Sequence, residues 1–306
     1  MGIERIESVT YWVEDLDECA RFVTDFGLTP STRDTTTAEF ETLTGQRLRV
    51  TTLVEDHWPP AVEPAPCIRE VVWGVDSPES LDRIVAAVAV DRPITRTDDG
   101  THHFADESGF GVGLTLARPR DPAVRTVDAS NAPGRVERWN QALAPISEVK
   151  PIRMCHVALN IAKDGHEEAN AFYQDRLGFI ARDVVKPMGT FMQAEGDDDQ
   201  HTFLLCHRPD RVSTNHVSFD VPTFDDVIQG GNHMIDKGWR EARRLGRHTV
   251  GSNVFRFIHA PLGGRFELAA DMDRVDDSYG TRFHEETPPH HIWQLQGNRD
   301  ESEKSR

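Results

Sequence analysis

The sequence contains the same unit twice, and this repetition limits the possible fold more than any other feature. The first copy opens with ESVTYWVEDLDECARFVTDFGL and the second with MCHVALNIAKDGHEEANAFYQDRLGF; each predicts an alternating strand, a polar turn and a short amphipathic helix. Gly27 and Gly178 follow the two helices, where a left-handed backbone favours glycine. A period of roughly 140 residues is too long for a solenoid and indicates a duplicated domain.

The middle and closing segments of the two copies also correspond. CIREVVWGVDSPESLDRIVAAV and STNHVSFDVPTFDDVIQGGNHMI each predict a strand followed by a helix. THHFADESGFGVGLTLA and FRFIHAPLGGRFELAAD each predict two strands around a glycine-containing turn. Each half is therefore predicted to consist of two βαβββ modules in an α+β fold.

The predicted boundaries divide the chain into two domains and a tail. We expect a first domain at residues 1–140 and a second at residues 150–275, joined by a linker punctuated by Pro and Gly. The polar tail at residues 276–306 is expected to be either a lid or partly disordered. Ile292 and Trp293 are the apolar tail residues that would cover a site if the tail is a lid.

Composition excludes several classes of function. The chain has 306 residues, enough for two domains, and its formal net charge of −17 argues against binding to nucleic acid or to an anionic membrane. We find neither a signal peptide nor an apolar stretch of the roughly 20 residues that cross a bilayer. The four cysteines show no CxxC spacing, which favours reduced thiols in a cytoplasmic protein.

Three polar residues interrupt apolar strands in the second half: His156 in HVALNI, His216 in NHVSFDV and Glu267 in RFELA. Since side chains alternate across a strand, one curved sheet can aim all three at a single point. Two histidines and one carboxylate form the facial arrangement of non-haem Fe(II) oxygenases, and metal ligation would remove the cost of a lone buried carboxylate. The ordinary alternative for any one of these histidines is a hydrogen-bonded structural residue.

The first half lacks this set of ligands. By the alignment of the two copies, its equivalent positions are about Val9, Glu70 and Gly113, which do not form a metal site. We therefore expect a degenerate first domain without metal. The pairs His102-His103 and His290-His291 are weaker candidates for metal ligation. Asp197–Asp199 lacks the spacing of a calcium loop, which favours a solvated acidic loop.

The second half resembles the type I extradiol ring-cleavage dioxygenases of the vicinal oxygen chelate superfamily, and the duplicated modules extend this resemblance over residues 1–275. The family has a GRH motif, then an aromatic strand, a Pro-x-Gly turn and a metal-binding Glu nineteen residues after the histidine; here His248 and Glu267 have that spacing. The family also has a histidine fifteen residues before its second ligand, and His201 occupies that position before His216. The resemblance implies a two-domain vicinal oxygen chelate fold, each domain an open barrel-like sheet, and the ligands His156, His216 and Glu267.

The resemblance also implies a reaction. A dioxygenase of this family uses Fe(II), or Mn(II) as a substitute, to cleave a small aromatic diol with O2 to a ring-opened semialdehyde. His201 would act as the acid and base, while His248, Phe257 and Arg243 would bind the substrate. Relatives carry a tyrosine where Phe257 stands, so the phenol that would hydrogen-bond the substrate is absent here. Arg243 would contact an anionic group of the substrate; a surface charge is the alternative.

Two other functions fit the same scaffold, because fold does not determine function. The first is a metal-dependent but non-oxidative enzyme, an isomerase or transferase. The second is a protein that binds a small aromatic compound and confers resistance without catalysis. We also expect a homo-oligomer, as is common among relatives and favoured by open sheet edges.

Overall fold

The computed structural model describes residues 2–127 and 129–296. The first domain contains, in chain order, β1 (Ile3–Trp12), α1 (Leu16–Asp25), β2 (Thr29–Arg33), β3 (Thr37–Glu41), β4 (Arg47–Thr51), β5 (Cys67–Val75), α2 (Pro78–Val88), β6 (Thr95–Arg96), β7 (His102–Ala105) and β8 (Gly111–Leu116). The second domain contains β9 (Arg153–Ala162), α3 (His166–Ala171) with a π-helical turn (Phe172–Arg176), β10 (Ile180–Val185), β11 (Gly189–Gln193), β12 (Phe203–Arg208), β13 (Ser213–Asp220), α4 (Phe224–Asp236), β14 (Glu241–His248), β15 (Val254–His259) and β16 (Arg265–Ala270).

The tail of the chain adds a short 3₁₀ turn (Asp277–Tyr279), β17 (Arg282–His284) and β18 (His291–Gln294). The last two strands extend the second sheet at its two edges, β17 beside β10 and β18 beside β14. The tail up to residue 296 is thus ordered by strand pairing, whereas residues 297–306 of the predicted tail lie outside the described residues.

The two sheets have the same topology, which confirms the predicted α+β fold with duplicated modules. The first sheet has the strand order β2-β3-β4-β1-β5-β8-β7-β6, and the second has β10-β11-β12-β9-β13-β16-β15-β14 between its added edge strands. These orders are identical when strands are matched in chain order. Each domain is therefore two βαβββ modules, joined by the antiparallel pair of their first strands.

Local sequence accounts for where the helices begin and end. Helix α1 begins after Asp15, whose side chain accepts a hydrogen bond from the amide of Glu18 and caps the first turn. It is followed by Gly27 at φ +104°, and the corresponding helical segment of the second domain by Gly178 at φ +81°. Both glycines have the left-handed backbone that the sequence predicted.

The two domains share one apolar core, which leaves the opposite face of each sheet for a cavity. The ring of Phe22 on α1 packs edge-on against the second sheet, with 5.1 Å between its centroid and that of Phe266. On β13, Val217 and Phe219 are buried in this core, while His216 lines the cavity on the other face. This is the alternation of faces that the strand pattern predicted.

Two further features agree with the sequence. In the described part of the chain, no helix is both long enough and apolar enough to span a membrane. All four cysteines are buried and unpaired, so none forms a disulfide.

Candidate metal centre

The three predicted ligands converge on the concave face of the second sheet. His156 lies on β9, His216 on β13 and Glu267 on β16, three strands that are adjacent in the sheet. Nε2 of His156 is 3.0 Å from Nε2 of His216 and 3.1 Å from Oε2 of Glu267, and the remaining edge of this triangle, from His216 to Glu267, is 3.6 Å. All three side chains are at least nine-tenths buried.

This donor set fits a divalent transition-metal ion. Ligands bound at about 2.1 Å and at right angles to one another lie about 3.0 Å apart, close to the observed separations. Oε2 of Glu267 is buried and has no hydrogen-bond partner among the described residues. Since an unpaired buried carboxylate oxygen is costly, a cation between the two imidazoles would satisfy it.

Neighbouring amides hold two of the three side chains. Nδ1 of His216 donates to Oδ1 of Asn215 at 2.9 Å, which leaves Nε2 as the nitrogen that faces the other donors. Nδ2 of Asn253 donates to Oε1 of Glu267 at 3.2 Å, which leaves Oε2 for the same point. Neither asparagine was predicted from the sequence, although Asn215 directly precedes a predicted ligand.

His201 lies beside the triad and is held by a chain of buried polar groups. Its ring centroid is 4.5 Å from that of His156, and its Nδ1 donates to Oε1 of Gln200 at 2.7 Å. Nε2 of Gln200 in turn donates to Asp183 at 2.7 Å, and Asp183 also accepts from Tyr279 at 2.7 Å. Because the carboxylate of Asp183 accepts from the amide nitrogen of Gln200, the carbonyl oxygen of Gln200 faces His201. Nδ1 of His201 therefore carries the proton that it donates to this oxygen, and its Nε2 carries none.

Burial and mutual contacts determine the charges in the site. Burial lowers the pKa of His201 and of His216 well below the usual value for histidine, so both rings are neutral at neutral pH. Burial by itself would raise the pKa of Glu267, but the close imidazoles of His156, His248 and His216 outweigh it and keep the pKa well below the usual value. Neutral imidazoles and an ionised carboxylate are the protonation states that metal ligation requires.

The other predicted site residues line one cavity of about 430 Å³, next to the triad. His248 lies with its Nε2 3.5 Å from Oε1 of Glu267, and its ring stacks on Phe255. Phe257 is buried against His216 with a centroid distance of 5.2 Å, and Arg243 lies over the ring of Phe257. A cavity of this volume lies within the range of small-molecule binding sites.

Two more arginines line this cavity, Arg208 on β12 and Arg265 on β16. Neither was predicted from the sequence to be a site residue. Burial lowers the pKa of Arg265 to about 10, which still leaves the guanidinium charged at neutral pH. Together with Arg243 they give one side of the cavity a positive charge. The clue in the sequence was the position of Arg265, two residues before Glu267 and therefore on the same strand face.

The tail contributes to the cavity, but through different residues than the predicted lid. Thr287, Pro288, Pro289 and His290 line the mouth of the cavity. The expectation for Ile292 and Trp293 is wrong, because Ile292 is exposed and Trp293 packs against Phe224. The tail therefore lines the cavity through the loop before β18 and not through Ile292 and Trp293.

The chain is similar to known proteins in sequence and in structure. Residues 153–268 match the model of the Glyoxalase/Bleomycin resistance protein/Dioxygenase superfamily. Metapyrocatechase 2 of Cupriavidus necator is 29% identical over 179 residues, which are 58% of this chain and 55% of the relative. The chain thus matches about half the length of this curated relative.

Solved structures similar to this chain share its two-domain arrangement. The halotolerant catechol dioxygenase BphC has 17% identity and a TM-score of 0.74, covering 98% of this chain and 96% of its own. The 2,3-dioxygenase LapB from Pseudomonas sp. KL28 has 18% identity and a TM-score of 0.73, covering 93% and 98%. The Mn(II)-bound glyoxalase from Novosphingobium aromaticivorans has 21% identity and a TM-score of 0.70, covering 94% and 89%. At these identities the likeness establishes the fold.

Proposed function

We propose that the chain is an Fe(II)-dependent extradiol dioxygenase, and the match of residues 153–268 to the model of the Glyoxalase/Bleomycin resistance protein/Dioxygenase superfamily supports this. It would open the ring of a catechol with O2 and incorporate both oxygen atoms into a ring-opened semialdehyde. The observation that carries this proposal is the convergence of His156, His216 and Glu267 within 3.6 Å of one another, with His201 beside them in one cavity.

The protein groups would divide the work of binding as follows. His156, His216 and Glu267 would hold the iron, with Asn215 and Asn253 keeping two of these side chains in register. Bound Fe(II) would supply a Lewis acid for the catechol oxygens and a redox centre at which O2 can react. Three protein ligands leave open positions for both substrates.

Proton transfer would fall to His201. Its Nδ1–H is committed to Gln200, so its Nε2 can accept a proton from a catechol hydroxyl and return it later. His248, which borders the triad near the cavity mouth, would hydrogen-bond a substrate oxygen. Phe191 and Phe257 form apolar walls that exclude water and pack against an aromatic ring.

The positive side of the cavity favours a catechol that carries an anionic substituent. Arg208, Arg243 and Arg265 all line it, and arginine binds carboxylates in a planar, two-point geometry. Replacing Arg243 with Gln should therefore raise KM at least tenfold for a carboxylated catechol and leave unsubstituted catechol within about twofold. Arg244→Gln is the matched control, because the Arg244 side chain reaches outward to the carbonyl of Gln296. Equal losses on both substrates would contradict the anionic assignment.

The proposed reaction is tested by loading the protein with Fe(II) under anaerobic conditions and then adding O2 and a panel of catechols. We expect a yellow ring-cleavage product and one O2 consumed per substrate. Iron-loaded protein that consumes no O2 across the panel would contradict the proposal. Turnover without O2 would favour a non-oxidative reaction of the same metal site.

A further inference from the structure

The first domain contains a cluster of metal-ligand type on the same concave face of its own sheet. His57, Glu70 and His103 each present a ligand atom, and these atoms lie within 4.8 Å of one another. Glu70 and His103 are buried and His57 is half-buried. All three line a cavity of about 560 Å³ that is separate from the cavity of the second domain.

Strand register defines how this cluster relates to the triad of the second domain. Glu70 on β5 pairs with Gly111 as His216 on β13 pairs with Arg265, so Glu70 holds the position of a predicted ligand. By the same comparison, Ser8 corresponds to His156. Ser8 pairs with the residue two positions after Glu70, and His156 pairs with the residue two positions after His216. The sequence alignment had placed Val9 there, but Val9 is buried in the core and Ser8 lines the cavity.

The remaining two members come from other positions of the scaffold. His103 pairs with Gly113 on β8, as Phe257 pairs with Glu267 on β16, so His103 holds the position of Phe257. His57 comes from the loop between β4 and β5, and its ring packs on His103 with 4.0 Å between centroids. The first domain therefore lacks the triad of the second domain but has a different set of two histidines and a carboxylate.

Both ring nitrogens of His103 have a polar neighbour. Nδ1 of His103 is 2.7 Å from Oε1 of Glu70, and Nε2 of His103 is 3.0 Å from the hydroxyl of Thr97. A buried pair of Glu and His needs more than mutual attraction to offset the loss of hydration. A hydrogen bond between them accounts for Glu70 and His103, but it gives no role to the histidine packed beside them or to the cavity that they face.

We propose that His57, Glu70 and His103 bind a second divalent transition-metal ion in the first domain. Imidazole and carboxylate ligands suit Zn²⁺ and its first-row neighbours, and three protein ligands leave positions open to the cavity. Binding requires the donor atoms to approach to about 3 Å, a contraction of up to ~2 Å that the loop position of His57 permits. This site replaces the expectation of a metal-free first domain, and it is independent of the reaction proposed for the second domain.

The test is a zinc titration of the full metal-free chain by calorimetry, with crystals of the zinc-loaded protein measured at the zinc absorption edge. We expect two ions per chain and two anomalous peaks, one of them between Glu70 and His103. His103→Gln and Glu70→Gln should each weaken one site at least about 100-fold, since loss of even an outer partner of a metal ligand costs 10–100-fold. Glu267→Gln should weaken the other site only.

His102→Gln is the matched control for His103→Gln. The two residues are neighbours on β7, but only His103 lines the cavity, so the control should keep both ions. If the buried substitutions prevent folding, His57→Ala at a half-buried loop position should remove the first-domain ion and leave the melting temperature of the metal-free protein unchanged. A single anomalous peak at His156 and His216, with zinc affinity unchanged in His57→Ala, would overturn the proposal.

Discussion

Replacing Glu267 with Gln should remove most of the metal-dependent stabilisation by the second domain. The side chain is fully buried, and its Oε2 lies 3.1 Å from Nε2 of His156. Gln keeps the shape and can still accept the hydrogen bond from Asn253, but it removes the only negative charge among the three donors. Loss of an outer partner of a metal ligand costs 10–100-fold in affinity, so loss of the charged ligand itself should cost at least about 100-fold.

The effect on stability follows from mass action. At a free metal concentration about 100 times the wild-type Kd, binding stabilises the folded state by about 2.7 kcal/mol. At the same concentration a site about 100-fold weaker is half-filled and contributes about 0.4 kcal/mol. The difference of about 2.3 kcal/mol corresponds to a difference in Tm of roughly 5–9 °C, since the Tm of a domain of this size changes by about 2–4 °C per kcal/mol.

The measurement is calorimetric melting with and without Mn(II), which avoids oxidation of the metal. Glu241→Gln is the matched control, because Glu241 pairs with Arg256 on the neighbouring strand at 2.7 Å, outside the cavity. Any metal bound in the first domain acts equally on both variants, so the difference between them reports the second domain. If Glu267→Gln keeps the full metal-induced rise in Tm, or Glu241→Gln loses it, the ligand assignment is wrong.

Three further substitutions test the site and its surroundings. Phe257→Tyr should raise kcat/KM on unsubstituted catechols about tenfold in steady-state assays, since a hydrogen bond to a charged oxygen contributes about 1.5–3 kcal/mol; an unchanged value would contradict this. Gln200→Leu should lower kcat about 10–100-fold and leave KM within about twofold, because it frees the ring of His201; a change in KM alone would argue against a positioning role. Burial raises the pKa of Asp106 to about 6 despite the hydrogen bond from Tyr173, so its protonated form adds stability that is lost as pH rises through 6. The free energy of unfolding of Asp106→Asn, measured with urea and compared with that of wild type, should therefore rise by up to about 3 kcal/mol from pH 4 to pH 7.5. A difference between the two proteins that stays constant with pH would refute this.

The sequence predicted the parts of the site that depend on local features, namely strand alternation and the spacing of residues along the chain. Strand alternation put His216 on the face opposite Val217, and the structure has this arrangement. The spacing of His248 and Glu267 follows from a hairpin, because β14, β15 and β16 are successive antiparallel neighbours. The order of strands and helices within each module was predictable for a similar reason, because the same order occurs in both copies of the sequence.

Groups that meet only through long-range pairing could not be predicted. Asp183 holds Gln200, but another of its partners, Tyr279, lies 96 residues further along the chain. The acidic run at Asp197–Asp199 was predicted to be a solvated loop, yet Asp199 is fully buried and pairs with Arg153 and Arg274. A run of like charges gives no sign of distant arginines, so the ordinary interpretation of such a run failed here.

The first domain shows why an alignment of repeats is a weak guide to its chemistry. A shift of one residue moved the comparison from Ser8, on the cavity face, to Val9, on the core face, because side chains alternate with a period of two. More fundamentally, the scaffold offers many inward positions on each concave face, and a donor can occupy any of them. The position that carries His103 in one domain carries Phe257 in the other. Absence of the expected ligands at the expected positions therefore does not exclude metal binding by a duplicated domain. Metal binding has to be inferred from the side chains that share its cavity.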